Sequence, residues 1–289
     1  MNVHRLSVLA AGVLFATGGA ALKLAPNLAP LDVAGLRSAI AALVIFAFVK
    51  ESQVRPTLAV LGVAATYAAT LMLFAVATRL TTAANAVFLQ SAAPIWVIVL
   101  GPLLLRERVR PRDALTLTVL AAGVTCFFVA GDSATATAPD PALGNLLAAA
   151  SSLTWAGTVL GLRALGRRGS NQGASAAAFG NLIAFAAAAP FFSAVGDAQL
   201  ADWLALLWLG AFQVGLAYVL LTRAVRHVPA LDAALLLMIE PALNPLFAFA
   251  VHGERPADLA ILGGVIVVAG LLVSAGADWN ARPRVSDPR

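Results

Sequence analysis

Two stretches decide the reading: Ala93–Arg108, APIWVIVLGPLLLRER, and Glu240–Arg255, EPALNPLFAFAVHGER. Each has a proline near its start, a long apolar run and Glu-Arg at its end. A surface helix of a soluble protein shows a polar face at every turn. These runs show none until they close on charge. They read as membrane spans, for which about 20 apolar residues at a rise of 1.5 Å each suffice.

Moving the chain along itself by 147 residues lays Ala77–Ala130 on Ala224–Ala277, with 12 identities in 54 positions and no gap. Many identities are alanines and decide little. The informative pairs are Arg79 with Arg226, Pro94 with Pro241, Glu107-Arg108 with Glu254-Arg255, and Gly123 with Gly270. Polar and proline positions repeating at one constant offset point to an internal repeat.

The same kind of run fills the chain. Of 289 residues 61% are hydrophobic and 11% charged, against about 25% charged in a soluble domain. The runs predict ten helices. In the first half they are Leu6–Leu24, Val33–Val49, Leu58–Ala77, Ala83–Leu105 and Ala114–Gly131. In the second they are Leu143–Leu162, Ala174–Val195, Trp203–Leu221, Leu231–Val251 and Leu259–Ala277. The runs are too long, and alternate too little, for the strands of a membrane barrel. The start of the chain is read as an uncleaved first span, because its apolar run continues to Leu24.

Net charge is +5, but the basic residues sit in short loops, which argues against nucleic acid as a partner. Ten spans would put both termini on one side. That side holds 15 of the Lys and Arg residues, among them Arg106, Arg108, Arg110, Arg112, Arg163, Arg167 and Arg168. The other side keeps 4: Lys23, Arg37, Arg79 and Arg255. The positive-inside bias then places both termini in the cytoplasm of a bacterial inner-membrane protein.

The expected organisation is a first five-helix repeat over 1–131, an external linker over 132–141 (DSATATAPDP from Asp132), a second repeat over 142–278, and a cytoplasmic tail over 279–289. Five is odd, so the halves are inverted. Inverted halves rocking about a shared midplane site are a transporter architecture. The fold class is all-α integral membrane, around a central cavity.

The chain resembles the drug/metabolite transporter superfamily, in its ten-helix EamA-type branch. The resemblance rests on the proline-to-Glu-Arg pattern at Ala93 and Glu240, on LAAGV at Leu120 and VAGLL at Val268, and on SSLTWAG with Trp155. Thr17 stands where the second copy has Trp155. The resemblance implies export or exchange of small metabolites. Within the family the chain is similar to bacterial exporters of aromatic and other neutral amino acids.

Glu240 is the deepest acidic residue in a span. A carboxylate there costs roughly 2.5–3.5 kcal/mol on insertion scales, and such residues face a cavity or a partner. It reads either as a contact for a substrate ammonium group or a proton, or as a structural acid beside Pro241. Asn244 shares its face one turn on. Cavity candidates are Tyr67, Phe74, Gln90, Ser91, Trp96, Trp155, Thr158, Gln213, Tyr218, Met238, Glu240 and Asn244. Their flat apolar walls and few polar groups would suit an aromatic amino acid. Pro94, Pro241 and Pro245 are the candidate hinges. Asn85 and Asp232 read as helix caps, and Gly157 with Gly161 as a close-packing face.

No HExxH or GxSxG occurs, and the lone Cys126 allows no internal disulfide. The expectation is no enzyme, no cofactor and no metal. The partners expected are the bilayer and a small-molecule substrate, and the form monomeric. Uniport by alternating access is favoured, with proton-coupled export of cationic drugs or other metabolites as the alternative. A channel or a membrane-embedded enzyme is the reading from another class.

Overall fold

The computed structural model describes residues 3–105, 111–130, 133–167, 172–224, 227–228, 236–237 and 239–280. They form helices labelled here α1 Val3–Leu22, α2 Pro30–Phe48, α3 Leu58–Leu80, α4 Ala83–Leu105, α5 Pro111–Val129, α6 Pro141–Arg167, α7 Gly173–Ala188, α8 Leu200–Leu221, α9 Ile239–His252 and α10 Asp258–Asn280. Seven runs are long and apolar enough to cross a membrane: α1 to α4, α8, and the stretches Pro141–Leu165 of α6 and Gly173–Phe191. Shorter apolar stretches are Ala114–Val129 in α5 and Asp258–Gly270 in α10. Among the described residues there is no strand, and an isolated bridge pairs Thr135 with Ala138 between α5 and α6.

Local chemistry sets the ends. Pro30 opens α2, where its missing N–H costs nothing. Thr57 caps α3 by accepting from Val60 N at 3.3 Å, and Thr82 caps α4 by accepting from Asn85 N at 3.2 Å. Asn85 is therefore no cap. It is buried, and its Nδ2 donates to Asn145 Oδ1 at 3.3 Å. Inside the spans, hydroxyls return to their own helix: Thr78 donates to Phe74 O and Ser91 to Val87 O. A polar side chain in an apolar surround finds its partner this way.

α3 packs on α6 and α7, and α8 packs on α1 and α2. α4 lies against α6, and α9 against α1; α5 pairs with α10, and α2 with α7. Adding five to each helix number, counted around ten, carries each of these pairs onto another of them or onto itself. Glycines set the closest approaches. A Cβ on Gly161 would meet Val63 of α3 at 2.6 Å, so the Gly157–Gly161 face is a packing face, as its spacing predicts. A Cβ on Gly263 of α10 would stand 2.7 Å from Gly123 O of α5.

One end of the bundle is tied together. It carries the α1–α2, α3–α4, α5–α6, α7–α8 and α9–α10 connections. Lys23 forms a buried ion pair with Glu254 and donates to Thr81 O and Thr137 O at 2.7 and 2.6 Å. Glu254 Oε2 accepts from Ala83 N at 2.9 Å, so it serves the α4 N-terminus as well. Arg79 donates to Leu22 O, Ala25 O and Leu28 O. Asp202 accepts from Asn27, and Asp32 from Ser193 N and Ala194 N. Lys23 and Arg79 are thus structural grips and not loop charges alone. The main apolar core, with Leu22, Leu28, Phe74, Leu89, Phe127 and Leu206, lies toward this end. The outer surface is apolar too: Leu58 is 86% exposed and Leu103 76%.

Candidate functional site

The site is built around a break in α1. Thr17 is a turn between the helical segments Val3–Ala16 and Gly18–Leu22. Its N–H and its hydroxyl both reach back to Leu14 O, at 3.2 and 2.7 Å. The paired glycines that follow admit the break, and they also make room. A Cβ on Gly18 would stand 2.7 Å from Gln213 Nε2, and one on Gly19 would stand 2.5 Å from Asn244 Oδ1.

α8 answers with a break in pattern of its own. Over Trp208–Leu216 it is a π-helix, a form met often at functional sites. Trp208 Nε1 donates to Thr17 Oγ1 at 3.0 Å, and Gln213 Nε2 reaches Phe15 O at 3.5 Å. The widened turn thus ties α8 to the broken part of α1.

Aromatic rings run across four helices from here. Phe15 of α1 meets Tyr218 of α8 at 5.7 Å between centroids. Tyr218 meets Tyr67 of α3 at 5.5 Å, and Tyr67 meets Trp155 of α6 at 6.4 Å. Gly180 of α7 admits Tyr67: a Cβ there would lie 2.6 Å from the ring. Glu240, in the first turn of α9, is close enough for its charge to act on Tyr218. Among the described residues Glu240 has no ion-pair or hydrogen-bond partner.

Several side-chain atoms here are buried without partners. They are Gln213 Oε1, both polar atoms of the Asn244 amide, Tyr67 Oη and Asn181 Oδ1. Tyr67 Oη lies beside the Tyr218 hydroxyl and the Asn181 amide, but closes no hydrogen bond of full geometry. Native interiors pair almost all such groups. A cluster left unpaired beside aromatic walls has the chemistry of a receptor for a molecule with a polar head and a flat apolar body.

The sequence candidates divide on this geometry. Tyr67, Trp155, Gln213, Tyr218, Glu240 and Asn244 belong to the rings and the unpaired groups. Gln90 and Trp96 on α4 face α6, donating to Ser151 Oγ at 3.3 Å and Ser152 Oγ at 2.9 Å. Ser91 turns back on its own helix. Thr158 donates to Thr66 Oγ1 at 3.1 Å and stitches α6 to α3, beside a second rung from Thr70 to Thr154. Phe74 sits in the apolar core. Met238 and Asp232 lie outside the described residues, as do Glu107, Arg108 and Arg226. Of the hinge prolines, Pro94 follows a break at Ala92, between the helical segments Ala83–Ser91 and Ala93–Leu105. Pro241 and Pro245 lie within the unbroken α9.

Sequence reasoning missed Phe15, Asn181 and Arg37. Arg37 is 1% exposed inside α2, and its Nη2 donates to Leu71 O at 2.9 Å. It is not a loop charge, and it drops out of the topology count. Its signal was legible: a basic residue several places inside an apolar run. Among the described residues no group of His, Cys, Asp and Glu could hold a metal ion. A separate groove of about 360 Å³ between α3, α4 and α6 is apolar but for Thr66, and lies away from the unpaired groups.

The chain is similar to an "Uncharacterized transporter" of Archaeoglobus fulgidus, at 26% identity over 245 residues, covering 84% of this chain and 86% of the relative. It shares a fold with a solved structure described as "Crystal structure of protein", with a TM-score of 0.66 and 21% identity over 99% of each chain. The sequence model of the EamA-like transporter family matches it twice, over residues 5–129 and 142–276. With nearly its whole length so matched, and with helices apolar enough to span a bilayer, the chain is a multi-pass membrane protein and belongs to the EamA-like transporter family.

Proposed function

We propose that the protein exports aromatic and other neutral amino acids from the bacterial cytoplasm, by alternating access through a central cavity. The observation that carries this reading is the row of rings from Phe15 through Tyr218 and Tyr67 to Trp155, flanked by Glu240 and by the unpaired Gln213 Oε1 and Asn244 amide. An aromatic amino acid brings the matching pieces, a flat apolar side chain and a compact polar head. Glu240 is the residue for its ammonium group, and the Gln213 and Asn244 amides serve the rest of the head.

In this reading ten spans form two inverted halves, residues 1–131 and 142–278, with both termini cytoplasmic. The chain works as a monomer, without cofactor. The doubled family match, and helix pairs such as α3–α6 and α8–α1 that correspond on adding five to each number, support the halves. Rocking of the halves, with bending at the α4 break beside Pro94, exposes the site to either face. The mode is uniport down the substrate gradient.

The test is counterflow of radiolabelled phenylalanine into proteoliposomes, with Glu240→Gln beside the wild type. Wild-type counterflow, and its loss in a folded Glu240→Gln protein, are the expected results. No flux of any amino acid would sink the substrate assignment. An unpaired acid is also what proton coupling requires, so the assay is repeated under a pH gradient. Flux that follows the gradient would replace uniport with antiport.

A further inference from the structure

Among the described residues Arg37 is a cation without a counter-charge. It stands in α2, about 8 Å along the axis from Asp32. It is 1% exposed, yet its guanidinium makes one hydrogen bond, Nη2 to Leu71 O, and Nε has no partner. A buried charge is costly unless paired, and a carboxylate is the usual partner of a guanidinium. The nearby carboxylates are spoken for. Asp32 accepts from Ala29 N, Ser193 N and Ala194 N. Asp202 accepts from Asn27 and Gln199 N, and Glu254 pairs with Lys23. Glu240 acts on Tyr218, on the far side of the tyrosine pair.

What surrounds Arg37 is the other set of unpaired groups. Leu71, whose carbonyl takes that bond, stands one turn from Tyr67 on the same face of α3, and the Tyr67 hydroxyl and Asn181 Oδ1 are buried without a partner. The next residue, Ser38, is buried with its hydroxyl free. A guanidinium fork with one of its five donors given to Leu71 O suits a compact planar anion.

We infer that Arg37, with the Tyr67 hydroxyl, is an anion-recognition point of the transport site, taking a carboxylate or a free inorganic anion of similar size. This rests on the transport reading above and deepens it. With the carboxylate at Arg37, the site selects amino acids over the amines and amides of the same shape. Glu240, across the ring pair, meets the ammonium group at another stage of the cycle. Both charges of a zwitterion are then answered by the protein, by residues from opposite halves of the chain.

The experiment measures competition against labelled phenylalanine in proteoliposome counterflow, using phenylalanine and phenylalaninamide, which lacks the carboxylate. Wild type is expected to prefer phenylalanine about tenfold or more, the scale of one hydrogen bond to a charged group. Arg37→Gln is expected to abolish the preference. No preference in wild type, or a preference kept by Arg37→Gln, overturns the inference. If Arg37→Gln does not fold, Arg37→Lys, which keeps the charge and loses the fork, and Tyr67→Phe take its place. Each should narrow the preference several-fold, and an undiminished preference in both overturns it.

A second arm replaces chloride with gluconate. Flux indifferent to the exchange assigns the anion to the substrate's carboxylate. Flux that needs chloride in wild type but not in Arg37→Gln assigns it to a free ion. Thermal stabilisation of the purified protein by phenylalanine, phenylalaninamide and chloride runs beside both arms. If no amino acid is transported, the transport reading fails by itself. Stabilisation by phenylalanine or chloride that Arg37→Gln removes would still uphold the anion site, and its persistence in the variant would overturn it.

Discussion

Lys23 and Glu254 illustrate how little a charged residue reveals until its partner is known. In the sequence they are 231 positions apart, and each reads as a loop charge at the end of a span. In the fold they meet, both buried, and Glu254 also serves the first N–H of α4. Removing one charge strands the other. Glu254→Gln is expected to cost about 3 kcal/mol, because an uncompensated buried ammonium remains. Adding Lys23→Met should recover most of that loss, and melting temperatures of the purified variants in detergent decide it. An unchanged temperature for Glu254→Gln would show the pair to be dispensable. Glu240, by contrast, was visible from its place in an apolar run, because insertion cost alone marks it. Arg37 was marked by the same cost and was misread only because loop charges were being counted. Phe15 and Asn181 carry no such mark: an aromatic or an amide in a membrane helix becomes informative only when its neighbours are known.

Among the described residues, seven of the expected spans are helices long and apolar enough to cross a membrane, since each apolar run must satisfy its own backbone in lipid. Hydropathy did not locate the irregularities. Thr17 ends one helical segment of α1 before a glycine pair, and the sequence hinted at this only through Gly18-Gly19. The π-helix over Trp208–Leu216, where α8 meets α1 and α2, had no signal in the run of apolar residues. The prolines differ among themselves: α9 runs on through Pro241 and Pro245 over Ile239–His252, while α4 breaks at Ala92, just before Pro94. Glycine was the better guide to packing. Gly123 and Gly270, matched under the repeat, both lie in the α5–α10 contact, where Gly263 approaches Gly123 O most closely. Gly263→Val is expected to destabilise the protein by about 1–3 kcal/mol, as overpacking does. Gly62→Val, at a glycine with nothing within 4 Å of an added Cβ, should be nearly silent. Equal melting temperatures for the two variants would refute that ranking.

A repeat is legible in the sequence at a single offset, and the tied end is not. The sequence offers only scattered Thr, Asn, Asp and Lys near the span ends there. What joins them is long-range geometry, with hydrogen bonds that link residues from α1 to the α9–α10 connection. If the two halves rock, this end must part. Lys23→Cys and Glu254→Cys, made together on a Cys126→Ser background and joined by a short bismaleimide, should stop counterflow, while the unlinked protein retains it. Transport by the linked protein would mean that this end stays shut throughout the cycle. The tied end has a further consequence, which is electrical. A living membrane stores a voltage, and a carrier with a water column through it would discharge that store. A seam in which each ammonium and carboxylate is already answered gives stray ions little to exchange for their hydration shells. If this end shuts the path across the membrane, the voltage falls across it as across an insulator, and a carrier of this kind stands idle in an energised membrane without draining it.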